Sequence, residues 1–308
     1  MTTLLYTHKS CLAHDPGPHH PESPARLEAV LAALSSPDFA GLDRREAPEA
    51  ALDDIARVHP RRLVERLLAA MPKSGYAAID ADTVLCPESG VAALHAAGAV
   101  IAAVDAVIAG EAENAFCAVR PPGHHAEPGR PMGFCLFNNV AIGALRARAV
   151  HGLARVAVVD FDVHHGNGTQ ARFADDPTLF YASTHQSPLY PGTGAASETG
   201  VGNIVNLPLR PMSGSHEFRQ GMTRVILPAL AAFAPEMVLI SAGFDAHRAD
   251  PLAQLMLDEA DYAWVTERLL EIAREHSRGR VVSTLEGGYD LRALGNSAAA
   301  HVRALMAA

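Results

Sequence analysis

The chain has 308 residues, of which 49% are hydrophobic and 19% are charged, and its formal net charge is −9. This composition supplies enough apolar residues for a large buried core, while the negative charge and the lack of Lys/Arg runs argue against a nucleic-acid or anionic-membrane surface. Four separated cysteines without a CxxC pair argue against a disulfide framework and against a thiolate zinc site.

Apolar runs that predict strands alternate along the chain with longer stretches that predict helices. The predicted strands cover residues 3–6, 115–119, 155–160, 178–183, 204–208, 237–241 and 280–285. The predicted helices cover residues 24–34, 61–70, 90–109, 137–150, 216–233, 258–276 and 291–307. This alternation predicts an α/β fold with a central, mostly parallel sheet covered by helices on both faces. Because no linker or repeat divides the chain, we expect a single domain over residues 1–308.

The longest apolar stretch, residues 91–110, contains His95 and Asp105. A buried core helix accommodates these two residues better than a membrane span does. Residues 1–6 lack a basic segment and a long apolar segment, so we expect no signal peptide and a cytoplasmic location. The expected partners include neither nucleic acid nor membrane, and a homo-oligomeric assembly is left open.

Polar segments follow four of the predicted strands. They cover residues 121–131, 162–168, 243–251 and 286–290. Because parallel strands place their carboxyl ends on one side of a sheet, we expect these segments to share one rim. Asp160, Asp162 and His164 follow one strand at a spacing of two, which directs their side chains to one face of extended backbone.

Asp162 and His164 are candidate metal ligands, and Asp245, after the strand 237–241, can supply a third. Two carboxylates and a neutral imidazole neutralise a divalent cation and leave one coordination position open, which suits catalytic zinc. Fe(II), Co(II) and Mn(II) remain alternatives by ligand type. The structural alternative, in which the aspartates cap helices and His164 packs in the core, explains each residue singly but not three at matching strand ends.

A second candidate group consists of adjacent histidines, His124 and His125, which follow a stiff Pro-Pro-Gly segment. Asp160, an anion, and Asn167, a neutral amide, can orient one ring each, and this difference would separate the pKa values of the two rings. The pair can therefore act as general base and general acid, and the sequence leaves open which ring does which. A plain surface turn is the structural alternative for this segment.

Tyr289 ends the segment Glu286-Gly-Gly-Tyr289, which follows the last predicted strand. Two glycines let the backbone bring the phenol to the mouth of the sheet, where it could donate a hydrogen bond to a developing oxyanion. The Gly-Gly pair by itself is a weak signal, because it is common in ordinary turns.

Five sequence blocks together resemble a known family. They are Arg120-Pro-Pro-Gly-His-His-Ala126, Gly133-Phe-Cys-Leu-Phe-Asn-Asn139, Asp160-Phe-Asp-Val-His-His-Gly-Asn-Gly-Thr-Gln170, Ser241-Ala-Gly-Phe-Asp-Ala246 and Glu286-Gly-Gly-Tyr289. In this order they resemble the histone deacetylase superfamily, closest to its class II branch and to the bacterial histone deacetylase-like amidohydrolases. The resemblance runs from His20 to Tyr289 and implies an arginase/deacetylase-like fold.

The resemblance also implies roles for individual residues. The implied zinc ligands are Asp162, His164 and Asp245, and the implied catalytic residues are His124, His125, Tyr289, Asp160 and Asn167. A potassium ion is implied at Asp160, Ser183 and Thr184, with backbone oxygens of Asp162 and His164. The implied substrate-binding residues are Gly133, Phe134 and Tyr190 in an acyl-lysine tunnel, Leu252 as gatekeeper and Asp82 at the rim, with Arg26 in an inner channel. Tyr190 departs from the phenylalanine usual at its position.

The expected activity is zinc-dependent hydrolysis that removes an acetyl or short acyl group from a lysine-like amine and releases acetate. The expected substrate is an acetylated lysine peptide or protein, and the alternative is an acetylpolyamine or another small N-acyl amine. Two further hypotheses are a silent acyl-lysine binding module and an arginase-type ureohydrolase. The ureohydrolase reaction needs two manganese ions bridged by additional aspartates, which the segment after Asp162 lacks.

Overall fold

Eight parallel strands form the centre of the molecule, and the computed structural model describes residues 2–308. In chain order the strands are β1 (Thr3–Thr7), β2 (Asp43–Glu46), β3 (Ala77–Ala78), β4 (Val84–Leu85), β5 (Asn114–Cys117), β6 (Val156–Asp160), β7 (Leu179–Gln186), β8 (Ile204–Leu209), β9 (Met237–Ala242) and β10 (Val281–Leu285). The central sheet has the order β2-β1-β5-β10-β9-β6-β7-β8, with every neighbouring pair parallel. Strands β3 and β4 form a separate antiparallel hairpin.

Helices surround this sheet. In chain order they are α1 (Ser10–Ala13), α2 (Pro24–Ala33), α3 (Leu52–Ile55), α4 (Arg61–Ala69), α5 (Ser89–Ala109), α6 (Asn139–Ala149), α7 (Asn167–Phe173), α8 (Ser215–Gly221), α9 (Leu227–Phe233), α10 (Glu259–His276) and α11 (Leu291–Met306). One group, α5 and α6, packs together and against the sheet, and a second group consists of α2, α10 and α11. Every residue of β6 and β9 is buried, so both faces of the sheet are covered. The predicted fold class is confirmed.

Helix α5 is apolar along its whole length. By length and composition it could cross a membrane, and 72% of its most apolar window is buried inside the protein. This burial agrees with the predicted core helix.

The structure contains some elements that the sequence did not predict, and others have different bounds from those predicted. Strand β2 was missed because its sequence, Asp-Arg-Arg-Glu, is charged throughout, and it lies at the sheet edge, where alternate side chains are exposed. The helix predicted over 216–233 is interrupted by a π-helical turn, Met222–Ile226, between α8 and α9. Pro228 lacks the N–H that would continue the α-helical bonding, which explains the wider turn before it.

Candidate active site and metal centre

Four adjacent strands, β5, β10, β9 and β6, end at the candidate site. The loops that follow them carry His124, Tyr289, Asp245 and Asp162, respectively. Because the strands are parallel, all four loops leave the same edge of the sheet. The side chains named from the sequence therefore meet at this edge although they are spread over most of the chain.

Asp162, His164 and Asp245 form one buried group, with donor atoms that lie within 4.8 Å of one another. His164 Nδ1 lies 3.1 Å from Asp162 Oδ1 and 3.1 Å from Asp245 Oδ2. The backbone N–H of Gly287 donates to Asp162 Oδ2 at 2.8 Å, and that of Val163 donates to Asp245 Oδ1 at 2.8 Å. These backbone bonds fix the two carboxylates on either side of the imidazole.

This group attracts positive charge. Although burial opposes it, hydrogen bonds with Asp162 and Asp245 raise the pKa of His164 to about 10. Two carboxylates and one imidazole are a donor set that suits zinc, and three protein ligands leave a further coordination position free. The residues therefore fit a divalent cation, which would replace the proton on His164.

The loops reach the carboxylates only because they contain glycine. A Cβ atom at Gly287 would lie 2.0 Å from Asp245 Oδ2, and one at Gly243 would lie 2.0 Å from Asp162 Oδ2. Any side chain at either position would push a carboxylate away from His164. The Gly-Gly pair after β10, a weak signal in the sequence, is thus required at Gly287 by close backbone approach and at Gly288 by a φ angle of 123°.

His124 and His125 are both buried and have different hydrogen-bond partners. His124 Nδ1 lies 3.0 Å from Asp160 Oδ2, and His125 Nδ1 lies 2.8 Å from Asn167 Oδ1. Although burial opposes it, the charge of Asp160 raises the pKa of His124 to about 10. Burial, together with the charges of His124 and His164, lowers the pKa of His125 well below its usual value. The two rings therefore differ in their affinity for a proton, and the higher affinity belongs to His124.

The orientation of the Asn167 amide determines which nitrogen of His125 carries the proton. Asn167 Nδ2 donates to Glu127 Oε1 at 2.8 Å, and a carboxylate can only accept. The amide oxygen therefore faces His125, whose Nδ1–H must donate to it. A neutral His125 then carries its lone pair on Nε2.

An elongated cavity of about 220 Å³ ends at these groups. Its lining residues are Asp82, His125, Gly133, Phe134, His164, Leu189, Tyr190, Leu252 and Tyr289. Leu252 is 37% exposed and marks the outer end, whereas His125 and His164 are 5% and 9% exposed and mark the inner end. Tyr190 is 38% exposed, but its ring reaches inward, with its centre 5.1 Å from that of His125. The walls between them are mainly apolar and aromatic.

One wall of this cavity is held by the segment that contains Asp82. Asp82 Oδ1 accepts the Gly133 N–H at 3.2 Å, and Thr83 Oγ1 accepts the Phe134 N–H at 3.2 Å. Gly133 and Phe134 both have positive φ angles, 57° and 67°, so their loop turns in a left-handed conformation. Asp82 thus lies at the cavity and also supports its wall.

Tyr289 lies beside the inner end of the cavity. Its backbone N–H donates to Asp250 Oδ2 at 2.7 Å, and the Arg26 guanidinium lies 4.8 Å from the centre of its ring. Arg26 also donates to the carbonyls of Gly288 and Glu286, at 2.5 and 2.6 Å. Burial raises the pKa of the Tyr289 phenol well above its usual value, so the hydroxyl keeps its proton and remains a donor.

Ser183 and Thr184 are buried in β7, on the far side of Asp160 from the histidines. Ser183 lies opposite Asp160 in the strand register, and its Oγ is 2.9 Å from His185 Nδ1. The hydroxyl of Tyr181, two residues earlier in β7, donates to Asp160 Oδ2 at 3.0 Å. Asp160 therefore connects the histidine pair with β7.

Two buried carboxylates in the site were given no role from the sequence, Glu286 and Asp250. Glu286 accepts the backbone N–H groups of Gly123 and His124. Asp250 accepts the N–H groups of Tyr289 and Leu252. The available signal was an acidic side chain within a polar loop after an apolar strand, but the sequence does not show which backbone groups it would meet.

A family comparison agrees with this geometry. A sequence model of the histone deacetylase domain matches residues 20–305. The chain belongs to the histone deacetylase family. It is similar to histone deacetylase 14, chloroplastic, of Arabidopsis thaliana, with 41% identity over 98% of this chain and 76% of the relative. It is also similar to the histone deacetylase-like amidohydrolase of Pseudomonas aeruginosa, with 38% identity over 93% of this chain and 81% of the relative.

The fold of this histone deacetylase family member is also similar to that of a solved structure. The crystal structure of the HDA15 HD domain matches with a TM-score of 0.93 and 35% sequence identity, over 99% of this chain and 88% of that chain. The deacetylase-type fold expected from the sequence is confirmed. The family and its amidohydrolase relatives make this chain a hydrolase of amide C–N bonds, with deacetylase or amidohydrolase activity.

Proposed function

We propose that this protein is a zinc-dependent deacylase that removes an acetyl group from a lysine side chain of a peptide or protein. One observation carries the proposal: the grouped ligand atoms of Asp162, His164 and Asp245 lie beside a mainly apolar cavity that is also lined by the His125 ring and the Tyr289 side chain. An extended, uncharged acyl-lysine side chain suits such a cavity, because its methylene groups would contact apolar walls and its amide would reach the polar end.

Zinc would be held by Asp162, His164 and Asp245. Bound zinc supplies Lewis-acid polarisation of the acyl carbonyl and of a water molecule. Asp160, Ser183 and Thr184, with backbone oxygens of Asp162 and His164, would hold a potassium ion. The burial of Asp160 and Ser183 opposite each other in neighbouring strands supports this second site, because both side chains carry oxygen atoms, the ligands that hard cations prefer.

The histidine pair would move protons. His125 is the general base in this mechanism: its Nδ1–H is held by Asn167, so Nε2 is free to accept a proton from water. His124, kept positively charged by Asp160, balances the negative charge that develops as water attacks. A histidine of the pair then returns a proton to the leaving amine, and acetate and the free amine are released.

Tyr289 would donate its hydroxyl proton in a hydrogen bond to the carbonyl oxygen as negative charge develops there. Phe134 and Tyr190 would enclose the acyl-lysine chain, and Asp82 would accept backbone N–H groups of the substrate at the rim. Leu252 at the outer end offers no charge to a second ammonium group, which favours acetyl-lysine over an acetylated polyamine.

A direct assay tests the proposal. Zinc-loaded protein is incubated with an acetyl-lysine peptide and, separately, with N8-acetylspermidine, with and without a chelator, and acetate release is measured. We expect faster turnover of the peptide, loss of activity with chelator and recovery with added zinc. Turnover that survives complete metal removal would contradict zinc dependence, and tight peptide binding without any turnover would instead support a silent acyl-lysine binding module.

A further inference from the structure

We propose that Glu286 is a positioning residue for the histidine pair, acting through the backbone of the loop that carries both rings. This inference rests on the proposed deacylase function of the same site. The residue precedes the close-approach glycine Gly287 and touches neither the cavity nor the three-ligand group through any hydrogen bond of its side chain. The hydrogen bonds of its side chain go to the backbone of the histidine loop and to the Ser241 hydroxyl.

The Glu286 carboxylate bridges three neighbouring strand ends. Its Oε2 accepts the N–H of Gly123 at 2.7 Å and the N–H of His124 at 3.2 Å, in the loop after β5. Its Oε1 accepts the hydroxyl of Ser241, in β9, at 3.1 Å. Because β10 lies between β5 and β9 in the sheet, a side chain at the end of β10 can reach both neighbours.

Three parts of the structure hold the histidine loop. Glu286 accepts its N–H groups, and the carbonyl of His124 accepts the N–H groups of Gly168 and Thr169 at 3.0 and 3.2 Å. At the start of α6, the side chains of Asn138 and Asn139 donate to loop carbonyls. Gly168 and Thr169 belong to α7, which begins at Asn167, the partner of His125. Without the bonds to Glu286 the loop could move relative to α7, and the two imidazoles would lose their fixed placement against Asp160 and Asn167.

The length of the side chain at position 286, more than its charge, is the property this role requires. Glutamine has the same length, and its amide oxygen can accept both backbone N–H groups while its amide nitrogen donates to the Ser241 hydroxyl. Aspartate keeps the charge but is one methylene shorter, so its oxygens fall short of Gly123. A positioning role therefore predicts that Glu286→Gln retains function and that Glu286→Asp loses it.

The test compares Glu286→Ala, Glu286→Asp and Glu286→Gln with the zinc-loaded wild type. Active sites are counted by stoichiometric titration with a tight-binding hydroxamate, so that kcat refers only to folded, metal-loaded protein. We expect kcat to fall roughly 10- to 100-fold for Ala and Asp, the scale of a displacement of up to an ångström, with little change in KM. Glu286→Gln should stay close to wild type.

A matched control removes the third contact of the same carboxylate. Ser241→Ala leaves both N–H bonds of Glu286 intact, so its kcat should match that of the wild type. If Glu286→Asp has wild-type kcat per titrated site, or if Gln and Asp lose kcat equally, the positioning role is wrong. A residue that only stabilises the fold would lower the melting temperature and the number of titrated sites without changing kcat per site.

A spectroscopic readout separates this inference from the proposed function. The Nδ1–H protons of His124 and His125, bonded to Asp160 and Asn167, are expected as downfield NMR signals. Glu286→Asp should shift or broaden both signals and Glu286→Gln should preserve them, whether or not the wild type hydrolyses acetyl-lysine. An inactive wild type overturns the deacylase proposal, and unchanged signals in Glu286→Asp overturn the positioning role.

Discussion

Replacing Tyr289 by phenylalanine removes one hydrogen-bond donor and leaves the remainder of the side chain in place. Three contacts hold Tyr289 without using its hydroxyl. Its backbone N–H donates to Asp250, and its ring contacts the guanidinium of Arg26 and the ring of Phe134, whose centre lies 6.1 Å away. Because the shape of the cavity is therefore retained, the variant isolates the contribution of the phenol to the transition state.

The expected loss in kcat is roughly 10²- to 10³-fold, or about 2.7–4 kcal/mol, which is the usual cost of removing one oxyanion donor. The high pKa of the Tyr289 phenol keeps it protonated through the neutral range, so the loss should hold throughout that range. KM should change little, because the cavity walls remain. Tyr190→Phe removes the other phenol that lines this cavity but keeps the ring that packs against His125, so it is the matched control with near-native kcat.

The assay is steady-state acetate release from an acetyl-lysine peptide, with zinc content measured on each preparation. A Tyr289→Phe variant that contains full zinc and keeps near-native kcat would refute the donor role and make the phenol a structural group. A loss of equal size in Tyr190→Phe would show that the cavity responds to any missing hydroxyl, so that the effect is not specific to the inner end.

Three further predictions follow from other parts of the structure. Asp162→Ala or Asp245→Ala should abolish bound zinc and activity together, and elemental analysis that finds equal zinc in either variant would contradict the ligand assignment. Leu252→Glu should shift kcat/KM from acetyl-lysine peptide toward N8-acetylspermidine, since a carboxylate near a second ammonium contributes roughly 1–4 kcal/mol before desolvation; an unchanged ratio would count against the gatekeeper role. Burial lowers the pKa of His301 to about 3, so the unfolded chain binds a proton below pH 6.5 that the folded protein does not, and stability is lost as the pH falls. Between pH 7 and pH 5 the free energy of unfolding should therefore fall less for His301→Gln than for the wild type, by on the order of 2 kcal/mol. Urea denaturation at both pH values measures this difference.

The central strands could be predicted because a parallel sheet buried on both faces requires continuous apolar runs, as in β6 and β9. Apolar runs do not reveal the strand at the sheet edge, because β2 is charged and forms a strand by pairing with β1. Helix α7 was missed because its first turn lies inside the polar loop of the site and carries Asn167. A residue that both starts a helix and orients a histidine has no apolar periodicity to reveal it.

Spacing along one strand was enough to suggest that Asp160, Asp162 and His164 converge, because that relation is local. The contact between Glu286 and Gly123 is different, because it joins residues 163 positions apart. Only the order of the strands makes these two neighbours, and no periodic pattern in the sequence encodes that order. The sequence can therefore suggest which side chains converge at the site, whereas the residues that hold those side chains in place depend on the order of the strands.

Four carboxylates of the site are 0–1% exposed, those of Asp160, Asp162, Asp245 and Glu286. Burial of a carboxylate is costly unless positive charge or hydrogen-bond donors compensate it. Backbone N–H groups compensate Glu286, and desolvation raises its pKa to about 7. The other three converge on histidines in one place, where a fold selected for stability alone would place apolar side chains. Hydrogen bonds with His124 and His164 offset part of this burial cost, and the grouped ligand atoms of Asp162, His164 and Asp245 could hold a metal ion. A metal ion held there would also stabilise this edge of the sheet.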